Sequence, residues 1–284
     1  MVSNEIRWFG HTLSPDLTYL EFYDLSDVHY GSQYCDVKLI SRQLAYIAEN
    51  PHAYMVLGGD WCESVLKSSV GDIYKQVGTP QDQRDWCIEI LYPVKDKILG
   101  GTTGNHERRV MNDTGIDISK DIAEALGIPY DPDGLWLKVS FGDSSNYTKG
   151  RPFTYWVYAD HGYGGARTKG AKIVKLERMA AWIHADIYCQ SHDHDVIVSP
   201  LVYLEPDPRG HLDSESGFMR GAAIAHRKQL VKTNAYLRWG GYARQKGFPP
   251  VDLITPTIWL AGRERPWPDP RGKENYKPEV RVVS

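Results

Sequence analysis

Five times between residues 19 and 198, a run of β-forming residues ends in a short polar turn carrying histidine, aspartate or asparagine. The turns read YDLSDVHYGS, VLGGDWCES, GTTGNHERR, YADHGYGG and QSHDHD. They put Asp27 and His29, then Asp60, then Asn105, His106 and Glu107, then Asp160 and His161, then His192 and His194 at successive strand ends. Strand ends are where α/β folds gather their sites. One strand-end histidine is an ordinary hydrogen-bonded turn residue. Five of the chain's ten histidines in such turns, interleaved with acids and an amide, make a coincidence hard to sustain. The other five, His11, His52, His184, His211 and His226, lack that context and read as structural or surface positions.

The pattern between the turns predicts the fold. LTYLEFYDL, AYMVLGG and ILGGTTG read as strands, and Val37, Ile40, Leu44 and Ile47 recur at helical spacing. A helix opening at Pro80 breaks near Pro93, and another over ISKDIAEALGI takes Ser119 as its N-cap and Gly127 just past its end. The second half is richer in strands: LWLKVSFG, FTYWVYADH, ADIYCQ, VIVSPLVYLEP, KQLVKTNAYLRW, DLITPTIWLAG and EVRVV. One amphipathic helix interrupts them, with Ile173, Leu176, Ala180 and Ile183 on one face. Residues 206–217 and 263–278 read as loops. Helices alternating with strands, then strands dominating, suggest an α/β fold of two packed mixed sheets with helices outside. No repeat or linker divides the 284 residues, so one domain is expected, with a loop or cap insertion near 61–80 and a strand-rich part over 196–284.

Composition excludes several classes. No apolar run reaches 18 residues, so no membrane partner is expected. The first residues do not read as a secretion signal, and Cys35, Cys62, Cys87 and Cys189 read as reduced thiols of a cytoplasmic protein. A net charge of −3 argues against a protein that coats duplex nucleic acid. The charge is uneven, however. Residues 216–251 hold no acid but carry Arg220, Arg227, Lys228, Lys232, Arg238, Arg244 and Lys246. A second basic stretch carries Arg167, Lys169, Lys172, Lys175 and Arg178. Each reads either as a solvated face or as a surface that attracts phosphate. Tyr236, Trp239, Tyr242 and Phe248 lie among these cations, either to pack a sheet or to stack on bases.

The ordered motifs DVH, GGD, GNHE, HG and HDH resemble the signature of the calcineurin-like metallophosphoesterases. The likeness spans about residues 19–198, and two longer strings, from Gly59 and from Gly164, resemble small bacterial and phage members. It implies a four-layer αββα sandwich and a site for two divalent ions. One ion would take Asp27, His29 and His194; the other Asn105, His161 and His192; Asp60 would bridge them. His106 would face the scissile phosphate as a general acid titrating near neutrality. The mixed ligands suit manganese first, with iron, zinc or nickel as other occupants. Two such ions clamp the attacking and leaving oxygens of an in-line displacement.

The resemblance is imperfect. The last motif opens with Ser191 where the family carries glycine, which matters if the turn needs positive φ there. The arginine that protein phosphatases carry after their second motif is absent, so Arg108, Arg109, Arg167 and Lys169 stand as candidate phosphate binders. Glu63 is expected either to support His106 or to face solvent. The function that follows is a phosphodiesterase, directed at nucleotides or nucleic acid; a phosphomonoesterase is the near competitor and a non-catalytic scaffold the remote one.

Overall fold

The structure, a computed structural model, describes residues 6–69, 73–142, 152–262 and 280–283. A five-stranded sheet has the order β13-β12-β2-β3-β4. Its strands are β2 (Tyr19–Leu25), β3 (Ala53–Leu57), β4 (Ile98–Gly101), β12 (Thr257–Ala261) and β13 (Val280–Val283). A six-stranded sheet has the order β1-β5-β6-β7-β11-β8. It is built from β1 (Phe9–Leu13), β5 (Leu135–Phe141), β6 (Thr154–Asp160), β7 (Ile187–Gln190), β8 (Ile197–Pro206) and β11 (Ala223–Lys232). Both sheets are mixed. The strands that carry the polar turns are parallel: β2 with β3, β3 with β4, and β6 with β7. Their C-terminal ends therefore share one edge in each sheet.

Side-chain alternation sorts the core. On β2, Leu20 and Phe22 face the other sheet, where they meet Leu137, Val157, Ile187 and Val231. Tyr23 and Leu25 face the opposite way, toward α1 (Val37–Glu49), α2 (Pro80–Leu91) and α4 (Ile118–Leu126). β2 is buried on both faces, and it carries two buried acids, Glu21 and Asp24, among its apolar residues. Helix α5 (Lys169–Trp182) covers the outer face of the six-stranded sheet through Leu176 and Met179, against Tyr188 and Leu230. The layers are thus helix, sheet, sheet, helix, as expected.

Local chemistry explains the helix limits and some departures from expectation. Thr79 caps α2 by accepting from Asp82 N, and Asp82 accepts from Thr79 N in return. The helix ends as Pro93 approaches, and the chain tightens into a 3₁₀ turn over Tyr92–Lys97. Asp117, not Ser119, caps α4, by accepting from Lys120 N. Ser119 lies inside the helix, and its Oγ donates to Thr103 Oγ1 at 2.9 Å. Gly127 ends α4 at φ 69°, as anticipated. A helix α3 (Asn105–Thr114) follows β4 where no helix was expected, because its sequence NHERRVMNDT has almost no apolar stripe. KQLVKTNAYLRW is strand only to Lys232; residues 233–239 leave the sheet. The expected loop 206–217 holds β9 (His211–Leu212), which pairs with β10 (Met219–Arg220) just beyond it. The expected loop 263–278 lies outside the described residues. All four cysteines are free and buried, but Cys62 and Cys87 lie with Sγ atoms 3.7 Å apart, brought together where α2 packs on the turn after β3. Among the described residues, no helix is long and apolar enough to cross a membrane.

Candidate metal centre

The five strand ends meet. Asp27 N donates to Gly59 O at 3.0 Å, and His29 N donates to Asp60 O at 2.9 Å, so the turns after β2 and β3 are laced together. Ser26 Oγ, Thr233 Oγ1 and Ser191 Oγ form a buried chain that ties in the ends of β7 and β11. Gly58 makes this closeness feasible: a Cβ there would come within 2.3 Å of Asp24 Oδ1 and 2.8 Å of Ser191 Oγ.

Three groups of donor atoms converge: Asp27, His29 and His194; His29, Asp60 and His106; and Asp60, His161 and His192. In the first, His194 Nε2 is 3.0 Å from Asp27 Oδ1 and 3.3 Å from His29 Nε2. In the third, His161 Nε2 is 3.1 Å from Asp60 Oδ2. Asn105 Oδ1 joins it, 3.2 Å from the same nitrogen. Asp60 lies between the two sides, with Oδ2 also 3.8 Å from His29 Nε2.

The tautomers aim lone pairs inward. His29 Nδ1 donates to Glu63 Oε2 at 3.0 Å, and His161 Nδ1 donates to Gly58 O at 2.9 Å, which leaves each Nε2 for a ligand. His192 Nε2 is taken by Gly164 O, so Nδ1 is its free nitrogen. Asp27 Oδ1 is buried and faces His194 Nε2 and His29 Nε2 at 3.0 and 3.6 Å without a well-directed hydrogen bond. Acceptors facing one another in a buried space fit a bound cation. This donor set of imidazoles, carboxylates and one amide therefore fits divalent metal.

Without metal, protons hold the site together. Burial alone would lower the His161 pKa, but the Asp60 and Asp27 carboxylates outweigh it and raise it to about 10. Burial would raise Asp60, yet His161 and His106 hold it well below the usual carboxylate range. His106 behaves differently. Burial pushes it down to about 4, against the pull of Asp60, so it is neutral at pH 7 rather than titrating there as expected.

Backbone strain collects here. The non-glycine residues at positive φ among those described are Asp27, His29, Asp60, Ser64, His192 and His194. Such positions cost about 1–3 kcal/mol each and persist only where surroundings over-determine them. Ser191 is not among them; the strained residues of that turn are His192 and His194, so serine in place of glycine meets no positive-φ penalty.

Glu63 supports His106 from two atoms: its carboxylate lies 3.8 Å from His106 Nδ1, as expected, and its backbone carbonyl is the direct hydrogen-bond partner. The carboxylate accepts from His29 Nδ1, and the carbonyl accepts from His106 Nδ1 at 2.7 Å. Of the candidate phosphate binders, Arg109 lies where its charge acts on both Glu63 and His106. Arg108 turns away to Pro132 O and Asp133. Lys169 faces Asp195 at 3.6 Å, and Arg167 lies over the Phe248 ring.

Two supports were not foreseen. Glu107, buried in the first turn of α3, accepts from Asp60 N at 3.0 Å and Cys62 N at 2.8 Å, fixing the turn that carries Asp60. Its place three residues past Gly104, a capping-box spacing, was the available signal. Behind His192 and His194 lies a buried ion cluster. Asp193 meets Lys175 Nζ at 2.8 Å and Lys232 Nζ at 2.5 Å, and Asp195 meets Lys172 Nζ at 3.0 Å. Lys172 and Lys232, read from sequence as surface cations, are 1% and 0% exposed.

No family model and no curated protein matches the chain. Solved structures do resemble it in chain course. A predicted phosphoesterase from Streptococcus pneumoniae TIGR4 is 10% identical over 93% of this chain and 98% of its own, with a TM-score of 0.35. Vacuolar Protein Sorting 29 from Cryptosporidium parvum is 12% identical over 94% and 97%, with a TM-score of 0.43. Wild-type Vps29 complexed with zinc, from Entamoeba histolytica, is 8% identical over 93% and 98%, with a TM-score of 0.35. These likenesses carry no weight for chemistry. The double-sheet fold and the converging strand-end donors agree with the calcineurin-like metallophosphoesterase resemblance.

Two outcomes test this account. A histidine whose pKa is raised from 6.5 to about 10 contributes stability that is full below about pH 6.5 and is lost as pH rises through about 10. Metal-free protein should therefore melt at lower temperature at about pH 9 than at about pH 7. Its affinity for Mn²⁺ should rise over the same interval, because the ion displaces that proton. Melting in EDTA and calorimetric titration at both pH values check this. Asp193→Ala should cost about 3–5 kcal/mol in urea unfolding, since it strands buried Lys232. It should also lower metal content, read by elemental analysis.

Proposed function

We propose that the protein is a divalent-metal-dependent phosphoesterase that acts on phosphodiesters. The observation that carries this is the position of Asp60, whose Oδ2 is 3.1 Å from His161 Nε2 on one side and 3.8 Å from His29 Nε2 on the other. A single buried carboxylate flanked by two ligand groups is the arrangement a pair of ions would share. Asp27, His29 and His194 would hold one ion, and Asn105, His161 and His192 the other. Bound there, divalent ions, manganese foremost, supply Lewis-acid charge at the phosphoryl oxygens and lower the pKa of water.

The chain supplies the rest. His106 is not needed as a ligand, which supports turnover over a scaffold role. With Nδ1 donating to the Glu63 carbonyl, its Nε2 points toward Asp60, 3.9 Å from Oδ2. The negative charge of an arriving phosphate raises the pKa of this imidazole, so that it binds a proton at Nε2. It then passes that proton to the leaving alkoxide. His29 and His161 are kept in ligand tautomers by Glu63 and Gly58. The preference for diesters rests on the exposed Tyr163 and Trp239 rings and the exposed Arg167, Arg238 and Arg244, which offer contacts for groups on both sides of a phosphate. A monoesterase is the second reading, favoured by Arg109: a guanidinium beside His106 suits a dianionic terminal phosphate.

The deciding assay strips metal, adds back Mn²⁺, and compares an aryl phosphodiester with its monoester. A metal-dependent rate larger for the diester is expected. A larger monoester rate selects the second reading, and no metal-dependent rate on either rejects both. His106→Ala should lower turnover by about 10²–10⁴-fold with metal content unchanged. Loss of metal instead would make His106 a ligand.

A further inference from the structure

Two segments reach the mouth of the metal centre from opposite sides. Residues 162–168 follow His161 directly, and Gly164 O contacts His192 Nε2. Residues 233–239 run alongside the turn that carries Asp27 and His29. Tyr236 N donates to Asp27 O at 3.0 Å, Asp36 N to Tyr236 O at 2.7 Å, and Arg238 N to Tyr34 O at 2.9 Å. Residues 239–248, which include α6 (Gly241–Gln245), join the two sides. At one end the Tyr34 ring lies flush on the backbone, where a Cβ on Gly240 would come within 2.3 Å of it. At the other, the Arg167 guanidinium sits 5.5 Å over the Phe248 ring. Trp239 Nε1 donates to Phe248 O at 2.9 Å, which fixes the indole at the rim.

What this rim presents is specific. Tyr163 is 58% exposed and Trp239 47% exposed, although both are large rings beside a polar site. Lys175 Nζ lies over the Tyr163 ring, 5.7 Å from its centre. Arg167, Arg238 and Arg244 are exposed, and none pairs with an acid among the described residues. Residues 161–176 and 216–251, which build both sides, contain no acid at all. Tyr236, by contrast, is buried in the core, so this region holds a packed ring as well as the exposed Tyr163 and Trp239.

We propose that this rim binds single-stranded nucleic acid, with bases on Tyr163 and Trp239 and backbone phosphates on Arg167, Arg238 and Arg244. Every base offers a π-face, so exposed aromatics interleaved with arginine form a sequence-tolerant platform. A duplex hides those faces, and the chain's net charge of −3 argues against a protein that coats one. The inference rests on the phosphodiesterase reading only for placing one phosphate at the metal ligands; strand binding is separable from it.

The test is fluorescence anisotropy with labelled oligothymidine and full-length protein in EDTA, where hydrolysis plays no part. Wild type should bind the single strand more tightly than a duplex of equal length. Trp239→Ala and Tyr163→Ala should each weaken binding about tenfold or more, the scale of one base stack. Arg238→Glu with Arg244→Glu should weaken it and flatten its salt dependence. Unchanged melting temperatures confirm folding, and the charge reversals provide an independent readout if an aromatic variant misfolds. With Mn²⁺ restored, the ratio of oligonucleotide to aryl-diester turnover should fall in the aromatic variants. No binding by wild type, tighter duplex binding, or variants that bind like wild type would overturn the inference. Rim-dependent binding without metal-dependent hydrolysis would uphold it and remove the catalytic reading; aryl-diester hydrolysis without strand binding would do the reverse.

Discussion

One oxygen of Asp60 has His161 at 3.1 Å, His29 at 3.8 Å and His106 at 3.9 Å, in a residue 1% exposed to solvent. A carboxylate so buried is stable only if its charge is met on every side. Oδ1 accepts from His106 N at the start of α3, and the backbone N–H of Asp60 is held by Glu107. The imidazoles come from turns after three different strands, so satisfying one carboxylate requires β2, β4 and β6 to end at the same place. The two-sheet architecture delivers those ends, with the inter-sheet core fixing the separation between them.

The same demand explains the backbone. Asp27, His29, Asp60, His192 and His194 all sit at positive φ, which bends each side chain back toward the common point. Aspartate and histidine tolerate that conformation better than most residues, but each still costs free energy. Opposing that cost behind the HDH turn are charges turned inward: Lys232 and Lys175 on Asp193, and Lys172 on Asp195. A turn gripped from behind has little freedom to relax, so its two imidazoles stay directed to different sides of Asp60.

Legibility followed the range of the interactions involved. β2, β3, α1 and α5 declare themselves by local periodicity. Helix α3 does not, because it is stabilised at its first turn by contacts with the Asp60 turn rather than by an apolar stripe. Ser119 was a plausible cap, yet Asp117 two residues earlier took the position. Residues 233–239 carry β-forming residues, but their backbone partners, Gln190, Asp27, Tyr34 and Asp36 among them, are distant in sequence. Glu63 shows the limit at the level of single atoms: the right residue was identified beside His106, and the structure added a backbone carbonyl that takes the hydrogen bond while the carboxylate is shared with His29.

The sequence by itself determined the order of strands, the turns between them and the residue types those turns carry, because period-two burial and turn chemistry act over a few neighbours. Only the tertiary structure decided which donors share a side of Asp60, which nitrogen of each histidine faces inward, and which lysines are buried rather than solvated. Those outcomes depend on the distance between two packed sheets and on partners from other strands, which no local pattern records.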